Sequence, residues 1–174
     1  PPWPRSIRST RRLDRARPVF DRMRTQLMGG QFLDVLESAR GWESLTTAER
    51  VERARRVIRY KSAKYTVEHP LLIGATAAGV GEADLAALSA YGLALGEAFQ
   101  LRDDLLDVFG DEARTGKGVG EDLREGKPTP LLAATVARSS DDQRPLLDRV
   151  GSPDLTVAEV LAMRDLMDEV GARE

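Results

Sequence analysis

The feature that most narrows the possible folds is the long pattern from Glu82 to Gly110, in which Leu85, Leu88, Tyr91, Leu95, Ala98, Phe99, Leu105 and Leu106 recur at helical spacing. A chain built around such a helix needs further helices to cover its apolar side, and the rest of the sequence supplies them. Leu13, Ala16, Val19, Phe20, Met23, Leu27, Met28, Gln31, Val35 and Leu36 fall near one face of a helix with a possible bend at Gly29 and Gly30. Thr46 or Thr47 caps a second helix, with Glu49 and Glu52 in its first turns, running through Val57, Ile58 and Ser62 towards Glu68 and Pro70. Leu71 to Ala78 is small and apolar, which reads as a stretch that is buried or packed tightly against another helix, and Gly79 and Gly81 end it. Strand-like alternation is almost absent, so the expected fold class is all-α.

After Gly110 comes a polar, glycine-rich stretch to Gly126, longer than a simple turn. Pro128 suits the start of a helix over Leu131 to Val136, and a last amphipathic helix runs from Val157 to Val170. The opening residues, Pro1, Pro2, Trp3 and Pro4 followed by Arg5, Arg8, Arg11 and Arg12, read as an exposed arm over 1–12, ahead of a helical domain over 13–174.

Composition removes whole classes of chemistry. The 174 residues contain no cysteine, which excludes disulfides, thiolate metal sites and thiol nucleophiles, and one histidine, His69, which excludes a multi-histidine metal centre. A net charge of -2 gives no reason to expect a nucleic-acid partner. No stretch is long and apolar enough for a membrane span and no signal core is visible, so the expected location is the cytoplasm.

Asp103, Asp104 and Asp107 lie within the strongest helical pattern, in the run Phe99-Gln100-Leu101-Arg102-Asp103-Asp104-Leu105-Leu106-Asp107. Residues 103 and 107 share a face, with Asp104 about 100° round from Asp103. Stacked carboxylates repel unless a cation sits between them, and Mg²⁺, shared between one or two carboxylates and a substrate phosphate, suits the spacing. The bland alternative is a solvated acidic face. The apolar flanks of the run point to a mostly buried helix instead, where unpaired carboxylates are costly. The loop that follows carries Lys117, Asp122, Arg124 and Lys127 among glycines, a composition that brings cations and backbone donors to a phosphate. Lys61 and Lys64, one turn apart beside Ser62 and Ala63, are either a solvent-facing pair or cations that a diphosphate can approach closely. Gln31 and Asp34 follow Gly29-Gly30 and carry a weaker signal of the same kind, and His69 before Pro70 reads as a packed or capping residue.

Taken together, Phe99-Gln100-x-x-Asp103-Asp104-x-x-Asp107, then Thr115-Gly116-Lys117-x-x-Gly120-x-Asp122-Leu123-x-x-Gly126-Lys127-Pro128-Thr129, strongly resembles the second aspartate-rich motif and trailing lysine loop of the trans-type polyprenyl diphosphate synthases. Gly30-Gln31-x-x-Asp34 and Lys61-Ser62-Ala63 stand where that family has its Gly-Gln and Lys-Thr elements, with Ser62 keeping the hydroxyl of the more usual threonine. The resemblance covers roughly residues 17 to 170. No first aspartate-rich motif precedes Gly30, so the chain reads as the second half of a synthase, an incomplete helical bundle of the isoprenoid synthase fold.

The resemblance implies a Mg²⁺-dependent prenyltransferase that condenses isopentenyl diphosphate with an allylic prenyl diphosphate, with geranylgeranyl diphosphate as the default product. By it, Asp103, Asp104 and Asp107 hold Mg²⁺. Lys61, Gln100, Asp103 and Lys117 carry catalysis. Gln31, Asp34, Lys61, Ser62, Gln100, Lys117 and Lys127 contact substrate. It also implies a homodimer. If these residues act alone, half the helical shell round the cavity is missing and poor or absent activity is expected. The competing readings are a terpene cyclase-like enzyme, against which the lysine loop argues, and a non-catalytic helical subunit of a heteromeric synthase.

Overall fold

The computed structural model describes residues 3–40, 42, 44–111, 116 and 118–173, with side chains from Arg12 onward. Among the described residues there is no strand, as the helical periodicity requires. The chain divides into two compact units, one of residues 1–33 and 57–100 and the other of residues 34–56 and 101–174.

Helix α1 runs over Trp3–Ala39, continues through Gly29 and Gly30, and carries Pro18 in its interior. The reading of an exposed arm is therefore corrected over residues 3–12, which are helical, while Pro1 and Pro2 lie outside the described residues. Pro4 occupies the first turn, where a missing N–H leaves no bond unmade, and the Arg, Ser and Ile residues that follow are all compatible with a helix. The apolar face assigned to this helix is only partly covered: Leu13, Phe20, Met28, Gln31 and Val35 are exposed, Val19, Met23, Leu27 and Leu36 are half-buried, and Ala16 is buried.

Apart from α1, the first unit contains a π-helix over Ile58–Glu68, α3 over His69–Ala78, and most of α4, which spans Glu82–Phe109. Pro70 does not break the path, because it stands in the first turn of α3. Gly79 ends α3 in the left-handed conformation at φ 84°, as its place after the apolar run suggests. Residues Leu71 to Ala77 are only half-buried except for exposed Gly74, so smallness there does not signify a buried core.

The second unit takes in the end of α1, α2 over Thr47–Val57 up to Arg56, the end of α4, and four further helices. These are α5 over Glu121–Arg124, α6 over Pro130–Arg138, α7 over Arg144–Leu147 and α8 over Val157–Glu169. Thr46 caps α2 reciprocally: Glu49 N–H donates to Thr46 Oγ1 at 3.3 Å and Thr46 N–H donates to Glu49 Oε2 at 2.8 Å. The α6 start lies at Pro130, two residues beyond Pro128, because the Thr129 hydroxyl accepts from Leu132 N–H and Pro130 takes the first helical position. The core of this unit is built from Val108, Leu123, Leu132, Val160, Met163 and Met167 with their neighbours, so the last turn of α4 and the α5 turn are anchored on one apolar cluster.

Candidate diphosphate and metal site

The three aspartates of α4 have three different environments. Asp103 is exposed, Asp104 is buried and Asp107 is half-buried. Asp107 is fixed from across the glycine-rich stretch. Asp122 N–H donates to Asp107 Oδ2 at 3.1 Å, and Gly120 N–H donates to the Asp107 carbonyl at 2.8 Å. Gly120 reaches that position with a φ of 74°, open to glycine at little cost. Burial, reinforced by the neighbouring Asp122 charge, pushes the Asp107 carboxyl up to about 6, in spite of the hydrogen bond it accepts.

Lys127 answers part of that charge. Its ammonium lies 2.6 Å from Asp122 Oδ1 and 2.7 Å from Glu125 Oε2. Burial would lower its pKa, but these two carboxylates outweigh burial and hold it above the ordinary lysine range. Arg124, read from composition as a phosphate cation, does a different job: its guanidinium donates to the Leu155 carbonyl at 2.5 Å, tying α5 to the segment before α8. Lys117 and Thr115 lie outside the described residues. Asp34 is half-buried in this unit.

Among the described residues no three carboxylates or imidazoles lie close enough to hold a metal by themselves. The donor set nevertheless fits Mg²⁺. Asp103 and Asp107 stand one turn apart on one face of α4, and Asp107, whose ionisation is disfavoured first by burial and then by the Asp122 charge, is a carboxylate that a divalent cation would hold in its charged form. Such an ion keeps waters and completes its shell with substrate oxygens.

In the first unit, Lys61 and Ser62 are half-buried in the π-helix, Gln100 is half-buried on α4 and Gln31 is exposed on α1. Gly30 brings α1 against Lys61: a Cβ there would lie 2.5 Å from Lys61 N. Ala63 is fully buried against Gly96, so its small size serves helix contact and leaves no room for a ligand beside it. Lys64 is a structural cation, 2.8 Å from Glu68 Oε2, and His69 is packed, its Nδ1 2.9 Å from the Lys64 carbonyl.

The expectation that α4 is mostly buried around its aspartates is corrected, since Tyr91, Leu95, Phe99, Leu101 and Leu106 are all exposed. Periodicity defines an apolar stripe but not what covers it. Along α4, Tyr91, Leu95 and Phe99 follow at intervals of four over about 12 Å and all three are exposed. Sequence reading missed two further elements: the Asp122 amide, held out of view by its separation from Asp107, and Glu68, whose one signal was its position four residues after Lys64.

The Polyprenyl synthetase family model matches residues 5–167. The chain is 37% identical over 117 residues to a short chain isoprenyl diphosphate synthase of Methanothermobacter thermautotrophicus, covering 66% of this chain and 35% of that protein. It is 34% identical over 142 residues to the farnesyl pyrophosphate synthase of Mus musculus, covering 80% and 40%. A geranylgeranyl pyrophosphate synthase from Corynebacterium glutamicum, solved with isoprenyl diphosphate and magnesium, superposes with a TM-score of 0.82 at 37% identity, over 92% of this chain and 44% of that one. A polyprenyl synthase from Caulobacter crescentus, solved with calcium and isoprenyl diphosphate, gives 0.79 at 34% identity, over 90% and 46%. The chain thus spans less than half the length of each of these relatives.

Proposed function

Because the chain belongs to the polyprenyl synthetase family, and so to the isoprenoid synthase fold, we propose that it is the diphosphate-binding half of a prenyltransferase. The reaction joins isopentenyl diphosphate to an allylic prenyl diphosphate: the allylic C–O bond breaks, a C–C bond forms, a proton leaves and diphosphate is released. The product is a longer polyprenyl diphosphate, geranylgeranyl diphosphate by default. The observation that carries this reading is the end of α4, where Asp103 and Asp107 stand one turn apart and the Asp122 amide fixes Asp107 from across the glycine-rich stretch, an arrangement suited to holding an anionic diphosphate through a divalent cation.

Asp103 and Asp107, with Asp104 beside them on the same turn, would hold Mg²⁺, and the ion when bound supplies positive charge to the oxygens of the departing diphosphate. Lys61, Lys117 and Lys127 neutralise the same oxygens, each worth most where water is excluded. Gln100, one turn before Asp103, orients the allylic group, and Gln31, Asp34 and Ser62 complete the polar lining. The Tyr91, Leu95 and Phe99 strip keeps water from the prenyl chain. We further propose a homodimer, supported by the exposed apolar residues of α1, and a cytoplasmic location.

The test is binding followed by turnover. In the 174-residue chain, geranyl diphosphate with Mg²⁺ at a hundredfold excess over its Kd raises the unfolding free energy by about 2.7 kcal/mol, and Asp103→Ala abolishes the gain. Stabilisation that persists in Asp103→Ala, or that needs no Mg²⁺, sinks the assignment. Labelled isopentenyl diphosphate added to the same mixture then separates a half that turns over from one that only binds.

A further inference from the structure

The π-helix over Ile58–Glu68 is held along its whole length by one face of α4. At its start, Arg59 Nε donates to Glu97 Oε1 at 2.9 Å, and Glu97 is buried. In the middle, Ala63 lies so close to Gly96 that a Cβ on the glycine would sit 2.6 Å from Ala63 Cα. At its end, Gly92 would meet Glu68 Cα at 2.8 Å in the same way, and Ser89 Oγ donates to Glu68 Oε1 at 2.6 Å. Glu68 is 5% exposed and also accepts from Lys64 Nζ at 2.8 Å. Burial alone would raise the pKa of Glu68, but the Lys64 and Ser89 hydrogen bonds and the Lys64 and His69 charges bring it below the ordinary value, so the carboxylate is charged and matched to its site.

The contacts at Arg59, Ala63 and Glu68 recur every four to five residues, which is not the repeat of an α-helix. An α-helix turns about 100° per residue, so residues nine apart point to opposite sides. An i→i+5 helix turns about 80° per residue and returns them to one side. Only the wider winding lets Arg59 and Glu68 both meet α4. It also decides where Lys61 goes. Seven residues before Glu68, an α-helical turn would bring Lys61 round to within about 20° of Glu68 and so against α4. The wider turn puts it about 160° away, on the side remote from the α4 contacts. At that side Gly30 of α1 is in backbone contact with Tyr60 and Lys61.

We propose that Glu68 is a positioning residue for Lys61: by pinning the end of the π-helix to Lys64 and Ser89, it holds the winding that turns Lys61 away from the α4 contacts of this unit. This rests on the reading of Lys61 as a diphosphate ligand. Wide helical turns are less favourable than α-helix and persist where surrounding contacts fix them, often at functional sites. The small residues opposite admit the broader helix, and the buried carboxylate sets its end.

The experiment measures calorimetric binding of inorganic pyrophosphate in excess Mg²⁺ to the 174-residue chain, to Lys61→Ala, to Glu68→Gln and to the double variant. Lys61→Ala is expected to weaken binding about tenfold, the scale of one hydrogen bond to a charged group. Glu68→Gln is expected to weaken it similarly, and the double variant to bind no more weakly than Lys61→Ala alone, because both changes act through one side chain. Weakening in Lys61→Ala with intact binding in Glu68→Gln, or losses that multiply in the double variant, overturns the proposal. Intact binding in Lys61→Ala overturns the reading of Lys61 on which it rests. Should Glu68→Gln not fold, Ser89→Ala removes the 2.6 Å hydrogen bond alone. It is expected to give a smaller loss that vanishes in the Lys61→Ala background, and a loss that stays there overturns the proposal.

Discussion

The backbone N–H of Asp122 reaches 3.1 Å from the carboxylate of Asp107, while the Asp122 side chain opposes the charge it is donating to. The same residue therefore orients Asp107 and makes its ionisation harder. With its pKa raised from 3.8 to about 6, Asp107 binds a proton in the folded chain that it has lost in the unfolded one between those values. Its contribution to stability is thus present below about pH 4 and lost as pH rises through 6. In metal-free protein, the melting temperature of the parent relative to Asp107→Asn is expected to fall across that window. Added Mg²⁺ should reverse the trend by favouring the charged form. A difference that is flat with pH would show that Asp107 titrates normally.

Adjacent glycines in α1 are expected to respond in opposite directions. A Cβ on Gly29 meets nothing within 4 Å, so Gly29→Ala should stabilise by about 0.5–1 kcal/mol through helix propensity. A Cβ on Gly30 would lie 2.5 Å from both Lys61 N and the Tyr60 carbonyl carbon, and backbone cannot move aside as a side chain does. Gly30→Ala is expected to cost on the order of 1–3 kcal/mol, the scale of overpacking. Denaturant unfolding of the two variants decides the matter, and equal effects would remove the close contact between α1 and the π-helix.

What could be read in the sequence was what depends on neighbours in the chain. The Glu82–Phe109 helix, the Thr46 cap with Glu49 and the Gly79 stop are each specified within a few residues, and each appears in the structure. Periodicity distinguishes the face of a helix but not the matter against it, which is why Phe99 and Leu106 are exposed where burial was expected. It also presupposes one winding, so Ile58–Glu68 reads as ordinary helix until contacts from α4 reveal the wider turn. The aspartates of α4 were legible as a motif. Their unequal environments were not, because the Asp122 amide that fixes Asp107 is fifteen residues away.

The α8 cap makes a separate prediction about acid. Thr156 and Glu159 exchange hydrogen bonds, with Thr156 N–H donating to Glu159 Oε2 at 2.8 Å and Glu159 N–H to Thr156 Oγ1 at 3.2 Å, and Arg149 Nε reaches Glu159 Oε1 at 2.9 Å. The Thr156 backbone, with Arg149 and the Thr156 hydroxyl, lowers Glu159 to about 2. A lowered carboxylate stabilises the fold above its unfolded pKa, near 4.5, and the contribution is lost as pH falls through about 2. Thr156→Ala is expected to cost about 1 kcal/mol at neutral pH. Thermal melts of Glu159→Gln should converge with the parent near pH 2, and a gap that persists there would place the stabilisation elsewhere.

Gly120 offers a test in which two causes separate. Its φ of 74° disfavours any other residue, and an added Cβ would overlap Val160 Cγ1, on a stiff β-branched side chain of the second unit's core. Gly120→Ala is expected to lose about 1–2 kcal/mol from backbone conformation and a further 1–3 kcal/mol from overlap. Val160→Ala alone removes buried methyls at a cost of about 0.5–2 kcal/mol. In the double variant the overlap is gone and the backbone cost stays, so the combined loss should fall short of the sum of the single losses. Gly120 N–H also holds the Asp107 carbonyl, so Gly120→Ala should weaken Mg²⁺-dependent pyrophosphate binding even where the chain remains folded. Relief of the stability loss by Val160→Ala without recovery of binding would mean that the left-handed backbone at Gly120, not the packing beneath it, sets the position of Asp107.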